Sequence, residues 1–393
     1  MPSHTPLSSA ILPTGIRSRF IENNNGLTVH LLEAGFQETA DNNSPRPTLL
    51  LLHGFPELAY SWRKIMQPLA EAGYHVLAPD QRGYGRTTGW DDAYDTDPAP
   101  FSIFNLLRDQ LGLLAALGKS EVAAVIGHDF GSPVAAACAL VRPDVFRSVA
   151  LMSAPFGGAP TWPSHTALNS IQSGKPSLSL SNPDFNQSLS TLEPPRKHYQ
   201  WYYSTREANA DMHACPQGLH AFLRAYYHVK SADWPKNKPH PLAAWTAEAL
   251  EVLPNYYLMQ KDQGMAETVA PEMPSAEHIA NCTWLPDNEL AVYAGEYART
   301  GFQGSLQWYR CATGGRSEAD FKTFSGRTID VPACFISGVS DWGTYQKPGD
   351  FEAMQTRACT NMTDCHLIEG AGHWVQQEQP EAVTGKLLKF LRR

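Results

Sequence analysis

Four short, unbroken apolar runs punctuate the first 155 residues and constrain the fold more than any other feature of the chain. They are "PTLLLLHGF" (Pro47–Phe55), "YHVLAPD" (Tyr74–Asp80), "VAAVIGHD" (Val122–Asp129) and "SVALMSAP" (Ser148–Pro155). Continuous apolar runs of this length suit strands buried on both faces, as in a parallel sheet covered by helices. Between them lie "YSWRKIMQPLAEAG", "FSIFNLLRDQLGLLAALGK" and "GSPVAAACALV". These carry helical apolar spacing and end at Gly or Pro, so strand and helix alternate as in an α/β domain.

The alternation stops near Phe156. Residues 163–195 are rich in Ser, Pro and Asn, with many breakers, and read as a long loop or excursion. An aromatic-rich, mostly helical section follows, from Arg196 to about Arg310. The sheet pattern then resumes with "VPACFISG" (Val331–Gly338) and "CHLIEGAGH" (Cys365–His373), and "PEAVTGKLLKFLRR" closes the chain as a helix. The expected organisation is a core formed by residues 1–155 and 320–393, interrupted by a helical insertion over 156–319. No internal repeat is visible.

With 393 residues the chain suffices for one large domain or two modest ones. The net charge of −8 argues against a nucleic-acid or anionic-membrane partner. No apolar run reaches the roughly 18 residues of a membrane helix, and no secretory leader is evident at the N-terminus. Seven cysteines without metal-type spacing point to reduced thiols in a cytoplasmic protein and to no metal site. The sequon at Asn281 is then without consequence. No cofactor motif is present: "DQRGYGRT" (Asp80–Thr87) lacks the Gly-Lys-Ser/Thr ending of a phosphate loop and reads as a structural turn.

Three residues at strand ends carry the chemistry. In "VIGHDFGS", Asp129 lies between a buried run and a small-residue helix, with Gly127 and Gly131 on either side. A sharp strand-to-helix turn needs small neighbours and lifts the central side chain above the sheet, where the helix N-terminus favours its anion. Taken alone, Asp129 equally fits a helix cap. Asp341 in "SGVSDWG" and His373 in "EGAGHW" each follow a later strand, and sites on open α/β sheets gather outside those ends. The order nucleophile, acid, histidine is that of hydrolases built on such a sheet. "HGFPE" (His53–Glu57) follows the first strand, and its Phe55 N–H, with that of Phe130, is placed to form an oxyanion hole.

"HGFPE", "DQRGYGRT", "GHDFGS", "TGFQGSLQWYRC" and "GAGHW" together resemble the epoxide hydrolases of the α/β-hydrolase superfamily, over residues from about 20 to the end. The resemblance implies an α/β-hydrolase fold with an inserted helical lid. It implies Asp129 as nucleophile, Asp341 as acid partner and His373 as base, with Phe55 and Phe130 as oxyanion donors. It implies Tyr199 and Tyr309 as lid tyrosines holding the epoxide oxygen, and Trp308 and Trp374 beside the substrate. Two departures stand out. Residues 163–195 make a longer lead-in to the lid than the family's, and Phe130 replaces the Trp often found after the nucleophile.

The carboxylate explains itself chemically. A serine attacking saturated carbon forms an ether that water does not cleave, whereas a carboxylate forms an ester that an activated water hydrolyses. Two leaving groups remain in play. An epoxide oxygen leaves as an alkoxide and needs a proton, which a phenol supplies. A halide needs only weak donors, and Phe130 lacks the indole N–H that would be one. A haloalkane or halo-acid dehalogenase is therefore the alternative reaction, and a non-catalytic ligand-binding protein on the same fold a second; the latter would lack a triad member, and none is missing. The expected partners are a small epoxide and water, with a homodimer left open.

Overall fold

The computed structural model describes residues 5–22, 25–37, 46–162 and 183–393. Its centre is an eight-stranded sheet in the order β1-β2-β4-β3-β5-β6-β9-β10. The strands are β1 (Ile16–Glu22), β2 (Thr28–Ala34), β3 (Thr48–Leu52), β4 (His75–Pro79), β5 (Ala124–His128), β6 (Val149–Met152), β9 (Ala333–Gly338) and β10 (Met362–Ile368). β2 runs antiparallel to β1 and β4, and every other neighbouring pair is parallel. Every residue of β3, β5, β6 and β9 is buried, which is why these strands read as unbroken apolar runs.

β1 and β2 are absent from the sequence reading. "IRSRFIE" mixes apolar and charged residues because β1 is an edge strand that is only partly covered.

Helix α1 (Arg63–Glu71) packs against the C-terminal helix Pro380–Leu391, while α2 (Ile103–Ala116) packs against α3 (Gly131–Val141). Both faces of the sheet are thereby covered. The route β3, α1, β4 leaves β3 on one side, and β5 pairs with β3 on the other. The ends of β3 and β5 therefore border the crevice where the strand order reverses. The Asp80–Thr87 turn is held by Asp80, whose carboxylate accepts from Ala59 N (2.8 Å), Arg86 N (3.0 Å) and His30 Nδ1 (2.6 Å).

Between β6 and β9 the chain leaves the sheet. Residues 163–182, most of the Ser/Pro/Asn-rich lead-in, lie outside the described residues. The remainder corrects the loop expectation, since Pro183–Leu189 is helical. The following section is also not purely helical: β7 (Arg196–His198) and β8 (Leu258–Gln260) pair antiparallel, joining segments too short to show a strand period in sequence. The insertion is tied to the sheet domain by buried polar links. Tyr293 Oη meets Ser61 Oγ at 2.9 Å and Gln377 Oε1 at 3.1 Å, Arg63 pairs with Glu289, and Tyr227 Oη donates to the Pro56 carbonyl at 3.2 Å. Among the described residues, no helix is long and apolar enough to cross a membrane.

Candidate active site

Asp129 follows β5 directly and holds φ at 51°, a left-handed conformation that costs a non-glycine residue on the order of 1 kcal/mol or more. The flanking glycines make this turn sterically feasible. A Cβ on Gly127 would stand 2.1 Å from the Gly131 carbonyl oxygen, and one on Gly131 would stand 2.1 Å from that of Leu52. Close backbone approach, not a positive φ, is what requires glycine at both positions.

The Asp129 oxygens have different surroundings. Oδ1 accepts the Phe55 N–H at 2.9 Å, while Oδ2 lies 3.2 Å from His373 Nε2. Gly54 leaves space for the first of these, because a Cβ there would stand 2.3 Å from Oδ1 and 2.6 Å from Phe130 N. Phe55 N, Phe130 N and Oδ1 thus converge beside Gly54. Burial by itself would push the Asp129 carboxyl up; His373, Lys230 and His128 outweigh it and hold the group well below the usual carboxylate range.

His373 Nδ1 lies 3.0 Å from Asp341 Oδ1. Asp341 is buried and also accepts from Gly343 N (2.7 Å) and Ser337 Oγ (3.0 Å). Burial raises its carboxyl, but the adjacent His373 imidazole, with Ser153 and the Gly343 N–H, holds it below the ordinary range. A carboxylate only accepts, so Nδ1 carries a ring hydrogen directed at Asp341, and Nε2 is turned to Asp129. That nitrogen is buried and has no well-aligned hydrogen bond.

Beneath the triad lies a pair that the sequence reading missed. Glu57 Oε2 meets His128 Nδ1 at 2.5 Å, and His128 Nε2 meets the His373 carbonyl oxygen at 2.7 Å. Ser153 Oγ also lies 3.1 Å from Nε2 but donates its own hydrogen to the His373 carbonyl, so both nitrogens of His128 face acceptors and carry hydrogen, as in an imidazolium. Burial opposes charge on both residues, yet their mutual attraction lowers Glu57 and raises His128. Glu57 stands inside "HGFPE" and His128 immediately before Asp129; their adjacency in sequence to the site was the available signal.

Tyr199 opens the helix Tyr199–Tyr203, and Tyr309 lies in the helix Gln303–Thr313. More than a hundred residues apart in the chain, their ring centroids are 6.1 Å apart. Tyr309 stands edge-on to Phe130 (5.1 Å) and Phe55 (5.6 Å). Tyr199 Oη donates to Gln346 Oε1 at 3.0 Å and accepts from Gln200 Nε2 at 2.9 Å, two partners the sequence did not suggest. Tyr309 Oη makes no hydrogen bond among the described residues. Burial first, then the charge of Asp129, holds both phenols well above the usual range, so both stay protonated.

The two tryptophans are near the site with their polar ends turned elsewhere. Trp308 packs on Phe130 at 5.2 Å and donates its indole N–H to the Arg82 carbonyl at 2.8 Å. Trp374 packs on His373 at 4.6 Å and donates to the Tyr227 carbonyl at 2.8 Å. Both offer apolar surface and neither has an N–H to spare. Among the described residues, no group of His, Cys, Asp or Glu is arranged to hold a metal.

Known proteins share this fold. The sequence profile of the alpha/beta hydrolase fold matches residues 47–183. Epoxide hydrolase A of Mycobacterium tuberculosis is 31% identical over 378 residues, covering 93% of this chain and 95% of that protein. The structure of an epoxide hydrolase from an endophytic Streptomyces superposes with a TM-score of 0.72 at 27% identity, covering 97% of this chain and 96% of the other. Epoxide hydrolase A from Mycobacterium thermoresistibile does so with a TM-score of 0.71 at 30% identity, covering 96% and 98%. The chain belongs to the epoxide hydrolases of the α/β-hydrolase fold.

Proposed function

We propose that Asp129 is the nucleophile, His373 the general base and Asp341 its orienting partner in a two-step opening of an epoxide to a vicinal diol, with Tyr199 and Tyr309 protonating the ring oxygen. The observation that carries this reading is the asymmetry of the Asp129 carboxylate: Oδ1 is held by the Phe55 N–H at 2.9 Å, and Oδ2 faces His373. Oδ2 attacks the epoxide carbon, the ring C–O bond breaks, and its electron pair leaves on oxygen, which takes a phenol proton. Esterification removes the Asp129 charge that helped hold both phenols up, so they become better acids as the proton is needed.

In the second step His373 Nε2 takes a proton from water, and the water oxygen adds to the ester carbonyl of Asp129. The negative charge develops on Oδ1, facing the Phe55 and Phe130 N–H groups. Collapse breaks the bond from the carbonyl carbon to Oδ2; the leaving alkoxide takes the proton held by His373 and departs as the diol with Oδ2, and the carboxylic acid left at Asp129 returns its proton to the lid phenolate, which restores the carboxylate. Residues 156–319 act in this reading as the lid that carries the two tyrosines over the sheet. Dehalogenation is disfavoured by the same surroundings, because the indole N–H groups of Trp308 and Trp374 are committed to backbone carbonyls. The compartment we propose is the cytoplasm, on the odd count of seven cysteines without a disulfide framework.

A single turnover in ¹⁸O-labelled water, with enzyme in excess, tests the mechanism. The diol is expected unlabelled and the label in the Asp129 carboxylate; label in the diol itself would mean that water attacks the epoxide directly.

A further inference from the structure

Lys230 ends the helix Leu219–Lys230 and is only 4% exposed. Its ammonium is enclosed by aromatic rings. Nζ stands 5.1 Å from the ring centroid of Tyr257, 5.4 Å from Tyr226, 5.5 Å from Trp374 and 5.9 Å from Tyr256. Among the described residues no carboxylate oxygen comes within 4.0 Å of Nζ. Ring faces replace only part of a lost hydration shell, so a buried cation without a close anion is costly. A packing role alone would be served by methionine without that cost.

Two groups of the site feel this charge. One is Asp129, whose carboxylate Lys230 helps to keep ionised. The other is Tyr226, whose ring centroid lies 5.4 Å from Nζ; burial raises its phenol and the ammonium opposes that rise. Tyr203 Oη donates to Tyr226 Oη at 3.3 Å, and the Tyr203 ring packs on Tyr309 at 4.9 Å and on Tyr199 at 5.6 Å. A row of phenols therefore leads from Lys230 to the two lid tyrosines.

Ring opening moves one negative charge along this line. Asp129 loses it when Oδ2 bonds to carbon. The ring oxygen gains the electron pair of the broken C–O bond and takes a phenol proton, so the charge comes to rest on a lid phenolate. We propose that Lys230 is the counter-cation for that phenolate, acting through Tyr226 and Tyr203. It is a positioning residue, since it orients and stabilises through the phenol row and does not touch the substrate. The inference rests on the roles proposed above for Asp129, Tyr199 and Tyr309.

Rapid-mixing single turnovers on the wild type, Lys230→Met, Lys230→Arg, Tyr226→Phe, Tyr309→Phe and Tyr309→Phe combined with Tyr199→Phe separate ester formation from ester hydrolysis. Lys230→Met is expected to slow ester formation about 10- to 100-fold, the scale on which one electrostatic partner is felt in a water-poor site, and to leave ester hydrolysis within about threefold. Lys230→Arg restores ester formation to within about tenfold of wild type. Tyr226→Phe, which breaks the link and keeps the cation, shows the same selective defect and carries the test if the Met variant does not fold. Unchanged ester formation in Lys230→Met or Tyr226→Phe, beside a slow Tyr309→Phe, overturns the proposal and leaves the phenols as proton donors. Equal slowing of both steps without rescue by Arg overturns it in favour of a packing role. Wild-type ester formation when Tyr199→Phe and Tyr309→Phe are combined overturns it through the reading beneath it, because no lid phenolate then needs a counter-cation.

Discussion

His373 Nε2 and Asp129 Oδ2 stand 3.2 Å apart, close enough for one imidazole to serve a water aimed at the Asp129 carbonyl, yet not aligned as a hydrogen-bonded pair. In the proposed sequence this nitrogen is needed for the second step and not for the first. His373→Gln is therefore expected to accumulate the ester and to lower kcat at least 10³-fold. Intact-protein mass spectrometry should show the enzyme heavier by one substrate. An unmodified mass after prolonged mixing with epoxide would move His373 to the first step.

Gly54 is expected to tolerate no side chain. The Cβ of Gly54→Ala would stand 2.3 Å from Asp129 Oδ1 and 2.6 Å from Phe130 N, so it would fill the space assigned to the oxyanion. Displacing one such donor costs roughly 10²–10³ in kcat. Steady-state diol formation, with a thermal melt to establish folding, checks this; turnover within threefold of wild type would place the oxyanion elsewhere.

Tyr199→Phe and Tyr309→Phe should each slow ester formation by about 10- to 1000-fold, and the double variant should lose nearly all epoxide turnover. Their stabilities should differ. Tyr199 exchanges hydrogen bonds with Gln200 and Gln346, so its loss costs about 1–2 kcal/mol, whereas Tyr309 makes none among the described residues and its loss costs less. Thermal melts of the two single variants, beside rapid-mixing kinetics, measure both effects. Equal melting temperatures would contradict the hydrogen-bond assignment, and unchanged ester formation would reopen halide chemistry.

Glu33 links the first three strands along one edge of the sheet, accepting from Arg17 Nε (2.7 Å), Arg19 Nε (2.7 Å) and His75 Nε2 (2.6 Å). Burial pushes its carboxyl up, but these three partners bring it from the ordinary 4.5 down to about 2. A carboxyl lowered by folding contributes stability that is complete above pH 4.5 and is lost as the pH falls towards 2. Because the arginines are partly in water, the contribution is on the order of 1–3 kcal/mol. Glu33→Gln should be less stable than wild type at neutral pH, with the gap closing on acidification. Denaturant titrations at several pH values would show it, and a gap that stays constant down to pH 2 would rule out the carboxylate charge as its source.

Much of the fold was legible because burial on both faces leaves a plain trace. The apolar runs at Thr48–Leu52, Ala124–His128, Val149–Met152 and Ala333–Gly338 had to be covered strands, and helices between them had to do the covering. The partly exposed β1 left a weaker trace, and β7 and β8 are too short to leave any. Within the site, Asp129, Asp341 and His373 were legible because each follows a strand, and strand ends on one side of a sheet converge whatever the loops do.

What only the tertiary structure decided is how residues from the insertion meet that edge. No local pattern brings Tyr199 to within 6.1 Å of Tyr309, ties Tyr199 to Gln346, or adds Tyr256, Tyr257 and Trp374 to the Tyr226 ring beside Lys230, because each of these contacts joins separate segments of the chain. Nor does spacing announce that Glu57 and His128 form a buried ion pair under His373. Strand ends are placed by the hydrogen-bonded register of the sheet, which apolar runs encode directly. Side-chain contacts across an insertion are placed by packing, which depends on the shape of every surface that meets there.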